Sequence, residues 1–163
     1  MKIFSFIIIF LMINISCNGS MTQKINLNDF PHEWVELTKS TKGLIIYNDC
    51  EMGNLVMTIR NVDGKYQLLL HGTQEDDNFD ILEAQQKNDT LKISVLRKAF
   101  NQTQVFNFIW LDKQKNIGKW ITTYSESGNT VTYLVVDSRF QKDFKSFEQP
   151  CIECWGEKCE NYD

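Results

Sequence analysis

Between Pro31 and Pro150 the chain contains no proline. Proline cannot donate to a sheet ladder, so nothing in that span forbids one strand after another. Glycines punctuate it instead, at Gly43, Gly53, Gly64, Gly72 and Gly128. In the first half they recur about every ten residues, the rhythm of short antiparallel strands. The sharpest turn signal is "NVDGKY", where Asp63-Gly64 suits the positive φ angles of a type I′ hairpin.

The segments between these turns alternate with period two. In "TLKISVLRK", Leu91, Ile93 and Val95 face one way, and Lys92, Ser94 and Lys98 the other. In "NTVTYLVVD", Val131, Tyr133 and Val135 oppose Thr130, Thr132, Leu134 and Val136. "TQVFNFIWLD" is apolar on both faces, as expected of a strand covered on both sides. The pattern predicts strands over 34–39, 43–49, 54–60, 65–71, 79–86, 90–97, 103–111, 116–125 and 129–136. In "DSRFQKDFKSF" the period changes. Phe140, Phe144 and Phe147 recur at i, i+4 and i+7, with Asp137 or Ser138 as N-cap, which predicts one short amphipathic C-terminal helix packed on the sheet.

Consecutive hairpins without crossover helices give an all-β antiparallel meander. A closed barrel removes its edge strands, and a β-sandwich is the alternative. Over residues 32–148 this order resembles the lipocalin-like class, in which a barrel of about eight strands is followed by a helix against its wall. The Gly-x-Trp mark of that class belongs near the first strand. Here "GKW", Gly118 to Trp120, falls in the eighth segment, so its role is not carried over.

The N-terminus adds a targeting signal. Lys2 is the only charge before residue 17, and Ile3 to Ile13 are apolar apart from Ser5. That run is too short to span a bilayer and reads as the core of a secretory signal. Asn14-Ile15-Ser16-Cys17 closes it. The whole resembles a bacterial lipoprotein signal, with the looser box of Bacteroidetes-type lipoproteins. The resemblance implies cleavage before Cys17 and acylation of its sulfur. The expected organisation is a signal peptide over 1–16, a lipidated tether over 17–31, and one domain over 32–163. No acidic run follows Cys17, so a periplasm-facing anchor in the outer membrane is expected, with the bilayer as a partner.

Acylation of Cys17 leaves an even set of cysteines: Cys50, Cys151, Cys154 and Cys159. For "CIECWGEKC", a zinc site, a redox pair and haem attachment all compete with disulfides. Paired knuckles are absent, the motif follows Pro150 in a tail rather than opening a helix, and Trp155 stands where haem attachment needs histidine. Disulfides remain, with Cys50 joined to one tail cysteine and the other two to each other. Closing a loop of about 100 residues stabilises by about 3–5 kcal/mol in the loop-entropy model.

Little in the sequence points to a reaction. Asp76, Asn78 and Asp80 match the first calcium positions of an EF-hand loop, but Ile81 and Lys87 break it. His32 and His71 belong to no metal or hydrolase motif. Asn88 and Asn101 open glycosylation sequons that mark polar turns. A formal net charge of −4 argues against nucleic acid. No catalytic residue, metal or cofactor is assigned, and no enzyme is expected. The expected function is a binding module for a small apolar ligand, with Trp110, Trp120, Tyr124 and Tyr133 as candidate lining residues. The alternative is a protein-interaction, immunity or inhibitor lipoprotein without a ligand cavity.

Overall fold

The structure is a computed structural model that describes residues 23–48, 54–72, 75–124 and 127–148. Twelve strands occur among them: β1 (Gln23–Lys24), β2 (Glu33–Glu36), β3 (Thr38–Ser40), β4 (Gly43–Asn48), β5 (Leu55–Val62), β6 (Lys65–Leu70), β7 (Asp77–Lys87), β8 (Thr90–Arg97), β9 (Gln102–Asp112), β10 (Ile117–Thr123), β11 (Thr130–Asp137) and β12 (Lys145–Glu148). Eight of them close an antiparallel barrel in the order β2-β5-β6-β7-β8-β9-β10-β11, with β11 returning to β2. Closure is made by Val135↔Glu36, Val136↔Val35 and Asp137↔Trp34. The barrel is lipocalin-like, and this continuous ring excludes the sandwich.

Hairpin chemistry explains the meander. Asp63 and Gly64 take φ of 52° and 79° between the paired Val62 and Lys65, as the Asp-Gly signal requires. Asn88, Asn101 and Asn116 take the same left-handed conformation in three later turns. Asparagine tolerates that conformation better than most residues, which accounts for the polar turn composition.

Side-chain alternation then fills the lumen. Trp34, Phe79, Ile93, Val95, Phe106, Phe108, Trp120 and Val135 belong to one core cluster and are almost completely buried. Each large apolar side chain so buried contributes about 1.5–3 kcal/mol. The Trp34 indole N–H donates to the Pro31 carbonyl at 3.1 Å. The segment expected as a tether reaches further into the fold than its composition implied. From residue 23 it is part of the barrel: β1 pairs with β7, and Leu27 and Phe30 are buried in the core. Those two apolar residues seal one barrel end, and their burial outweighs the polar character of their neighbours.

The first expected strand, 34–39, divides at Leu37. The buried Leu37 donates its N–H to the Leu134 carbonyl at 2.7 Å, and β3 leaves the barrel beyond it. β3, β4 and β12 form a separate small sheet, with β4 in the centre and β12 parallel to it. Its inner face meets the barrel wall in a second core of Val35, Leu37, Ile46, Ile117 and Val136.

The expected C-terminal helix is a 3-10 helix, Ser138–Asp143. Asp137 caps it, accepting from the Arg139 N–H at 3.0 Å. The buried Asp137 carboxylate also holds the Arg139 guanidinium, with an N–O distance of 2.6 Å, and so raises the Arg139 pKa. Phe140 and Phe144 pack on the second core, as expected. Phe147 does not continue their stripe. Residues 145–148 gain a ladder with β4 instead, and a 3-10 helix repeats every three residues rather than every 3.6.

Candidate functional site

Of the four candidate lining residues, Trp110, Trp120 and Tyr133 lie nearer the sealed end than Tyr124. Trp110 and Trp120 lie at the sealed end. Phe108 packs against both, at ring-centroid distances of 4.8 and 5.0 Å, and Phe30 at 6.2 and 6.1 Å. Trp34 joins them at 5.6 and 6.3 Å. Trp120 is completely buried, and its indole N–H has no hydrogen-bond partner among the described residues. These rings fill the lumen here with side chains, so this layer is core rather than ligand chamber.

Tyr124 follows β10 at the opposite end, whereas Tyr133 lies level with Trp120. Tyr133 pairs with Trp120 across β10–β11 and packs against the main core. Burial, helped by Tyr124 and Glu36, pushes its phenol up to about 12. Glu36 pairs with Val135 and so turns towards the same interior face. Its residue surface is exposed at the rim, yet desolvation by the barrel wall raises its carboxyl pKa. Thr122 is buried and accepts from the Gln104 side-chain amide at 2.6 Å.

Two arrangements were not legible in the sequence. The first is a relay. His71 Nε2 lies 2.9 Å from the Thr58 hydroxyl, and its Nδ1 lies 3.0 Å from the Asp76 carboxylate. The order hydroxyl, imidazole, carboxylate is that of a hydrolase triad. Thr58, however, sits inside β5, register-paired with Leu69 of β6 and Glu33 of β2. We read the relay as a clamp that ties the β6–β7 connection to the barrel wall. The neighbouring acidic residues are also committed: Asp77 pairs with Arg97 at 2.6 Å and Asp80 with Lys98 at 2.7 Å.

The second is a groove of about 520 Å³ on the small sheet, lined mainly by Leu44, Ile45, Tyr47, Lys145 and Phe147. Alternation along β4 turns Ile46 to the barrel and Ile45 and Tyr47 away from it. Parallel register brings Lys145 beside Ile45 and Phe147 beside Tyr47. The Lys145 ammonium stands 4.5 Å from the centre of the Phe147 ring. Sequence reasoning missed this face because it assigned 145–147 to a helix, which hides the pairing of Phe147 with Tyr47.

Cys17, Cys50, Cys151, Cys154 and Cys159 lie outside the described residues. Among the described residues no cluster of histidine, cysteine, aspartate and glutamate could hold a metal ion, and no helix is long and apolar enough to cross a membrane. No family model matches the chain, and no curated protein or solved structure matches it.

Proposed function

We propose that the protein is a lipoprotein, acylated at Cys17 and facing the periplasm from the outer membrane, that binds a small apolar ligand. Its binding site is the groove of the small sheet rather than the barrel lumen. The observation that carries this reading is the groove itself. Its volume of about 520 Å³ suits a small molecule, and Leu44, Ile45, Tyr47 and Phe147 give it an apolar lining beside the two cations Lys42 and Lys145. Placing the ligand there is consistent with the ring packing around Trp120, which leaves those rings a structural role.

The test is a titration with the apolar fluorophore N-phenyl-1-naphthylamine. It uses Cys17→Ala protein, so that the protein's own acyl chains do not compete. Saturable binding that Phe147→Ser weakens at least several-fold supports the reading, since losing a buried aromatic contact costs about 2 kcal/mol or more. Binding that ignores Phe147→Ser contradicts it. Intact mass of the membrane-extracted protein tests the acyl chains.

A second reading, a protein-interaction lipoprotein, draws on the same sheet. All four residues of β12 are exposed, and among the described residues β12 pairs only with β4. An extended peptide could add to its outer edge. Strand addition would protect β12 amides from exchange, which a ligand in the groove would not do.

Disulfides remain part of the proposal, and the described register favours one pairing. Asn48 and Glu148 are register partners at the same end of the parallel β4–β12 pair, and the Asn48 amide donates to the Glu148 carboxylate. Cys50 follows Asn48 by two residues and Cys151 follows Glu148 by three. A disulfide needs a Cα separation of about 4.4–6.8 Å, and no other tail cysteine follows this shared strand end by so few residues. Cys50–Cys151 with Cys154–Cys159 is therefore the favoured connectivity.

A further inference from the structure

The first described strand joins the barrel at one end, and Cys17 stands only six residues before it in sequence. β1 pairs with the last turn-ward residues of β7, Gln23 with Gln86 and Lys24 with Gln85. The β7–β8 turn follows directly, and the turns β5–β6 and β9–β10 share its end because successive strands of the meander alternate in direction. Lys113 of the β9–β10 turn pairs with Asp89 of the β7–β8 turn at 2.5 Å. This is also the end sealed by Leu27 and Phe30. Only residues 18–22 separate Cys17 from Gln23, and six steps of extended chain reach at most roughly 20 Å. β7 alone has eleven residues and is roughly 35 Å long, so the opposite turns lie beyond the tether's reach when the barrel stands on this end.

The surface of that end suits what the tether brings it to. Leu111 and Val62, beside two of its turns, are exposed at 52% and 40%, and at the far end Phe100, exposed at 54%, is covered on one face by the Arg97 guanidinium. Lys24, Lys65 and Lys87 are exposed, and none forms an ion pair among the described residues. At the opposite end Arg97 and Lys98 are already paired with Asp77 and Asp80, and Glu75 and Asp76 add acid. Asp29, Asp63, Asp89 and Asp112 also lie at the near end, where with Lys113 and Lys115 the cations exceed the carboxylates by one, whereas carboxylates exceed cations by two at the far turns, so the near end is the better match to an anionic surface.

We propose that the sealed end of the barrel rests on an anionic phospholipid surface, with Leu111 and Val62 at the interface and Lys24, Lys65 and Lys87 facing the headgroups. The β6–β7 and β8–β9 turns, at the far end, are then free of the bilayer plane. The inference rests on the acylation of Cys17 proposed above.

Hydrogen exchange of the acylated protein on vesicles tests it, compared with Cys17→Ala protein in solution. Residues 62–66, 87–90 and 110–116 are expected to exchange more slowly on vesicles, and residues 75–78 and 97–102 at an unchanged rate. Protection is expected to be greater on mixed phosphatidylcholine and phosphatidylglycerol than on phosphatidylcholine alone. The Lys24→Glu, Lys65→Glu, Lys87→Glu triple variant should lose that increment, and exposed substitutions of this kind leave the core intact. Protection at 75–78 and 97–102, or none at either end, on vesicles carrying acylated protein overturns the orientation alone. An intact mass without acyl chains overturns the anchor and the orientation together.

Discussion

The ring of Phe108 lies across the backbone of Gly118, so close that a Cβ at residue 118 would come within 2.2 Å of it. The two strands shift register beside this contact, between Ile117 and Gly118. Glycine is therefore required here by the packing of an aromatic side chain against the neighbouring strand. Phe108 is completely buried and touches Trp34, Trp110 and Trp120, so it has nowhere to retreat. Gly118→Ala should cost about 1–3 kcal/mol, as overpacked cores do. Urea denaturation of the two proteins measures it, and an unchanged midpoint would show that the aromatic layer is looser than described.

The pair Glu36 and Tyr133 makes stability depend on pH in two windows. Burial raises both pKa values, so folding favours both neutral forms. The Glu36 contribution is complete below the ordinary carboxyl value of 4.5 and is lost as pH rises through its raised pKa. Glu36→Gln should therefore be more stable than the parent at neutral pH and no more stable in acid. The Tyr133 contribution is lost as pH rises from 10 through about 12, and Tyr133→Phe should flatten that decline. Denaturation midpoints across both ranges check the signs, and phenolate absorbance follows Tyr133 directly.

The Thr58–His71–Asp76 relay should behave as a clamp. His71→Ala removes two hydrogen bonds and should cost about 1–3 kcal/mol in all. Amides of the β6–β7 connection should exchange faster in the variant. Hydrolysis of p-nitrophenyl acetate should be equal in parent and variant. A rate that collapses with His71→Ala and with Thr58→Ala would instead make the relay catalytic.

Non-reducing peptide mapping of the mature protein should recover Cys50 linked to Cys151, and Cys154 linked to Cys159. The prediction follows from the Asn48↔Glu148 register rather than from the spacing of the cysteines themselves. A Cys50–Cys159 bridge would mean that the tail folds back on itself before bonding.

Much of this fold is legible in the residues because its strands obey period two. Leu91, Ile93 and Val95 were expected to share a face, and all three are buried in one core. The Asp63-Gly64 turn carries its geometry in two letters. What the pattern hid depends on long-range pairing. The segment 23–31 looks polar, yet two apolar side chains suffice to seal the barrel. Phe140, Phe144 and Phe147 fit a helix equally well until β4 offers Phe147 a partner strand. The relay joins residues from β5, the end of β6 and the following loop, which no local motif connects. Of the candidate lining residues, Trp120 has the chemistry of a ligand contact but spends it on other rings.

Photoaffinity mapping tests the central claim, that the ligand-facing surface is the outer face of the small sheet. An alkyl diazirine probe is photolysed with Cys17→Ala protein and the modified peptides are sequenced. Adducts are expected on residues 42–47 and 145–148, competed away by N-phenyl-1-naphthylamine. Adducts confined to the lumen-facing residues of β9 and β10, with the small sheet unlabelled, would contradict it.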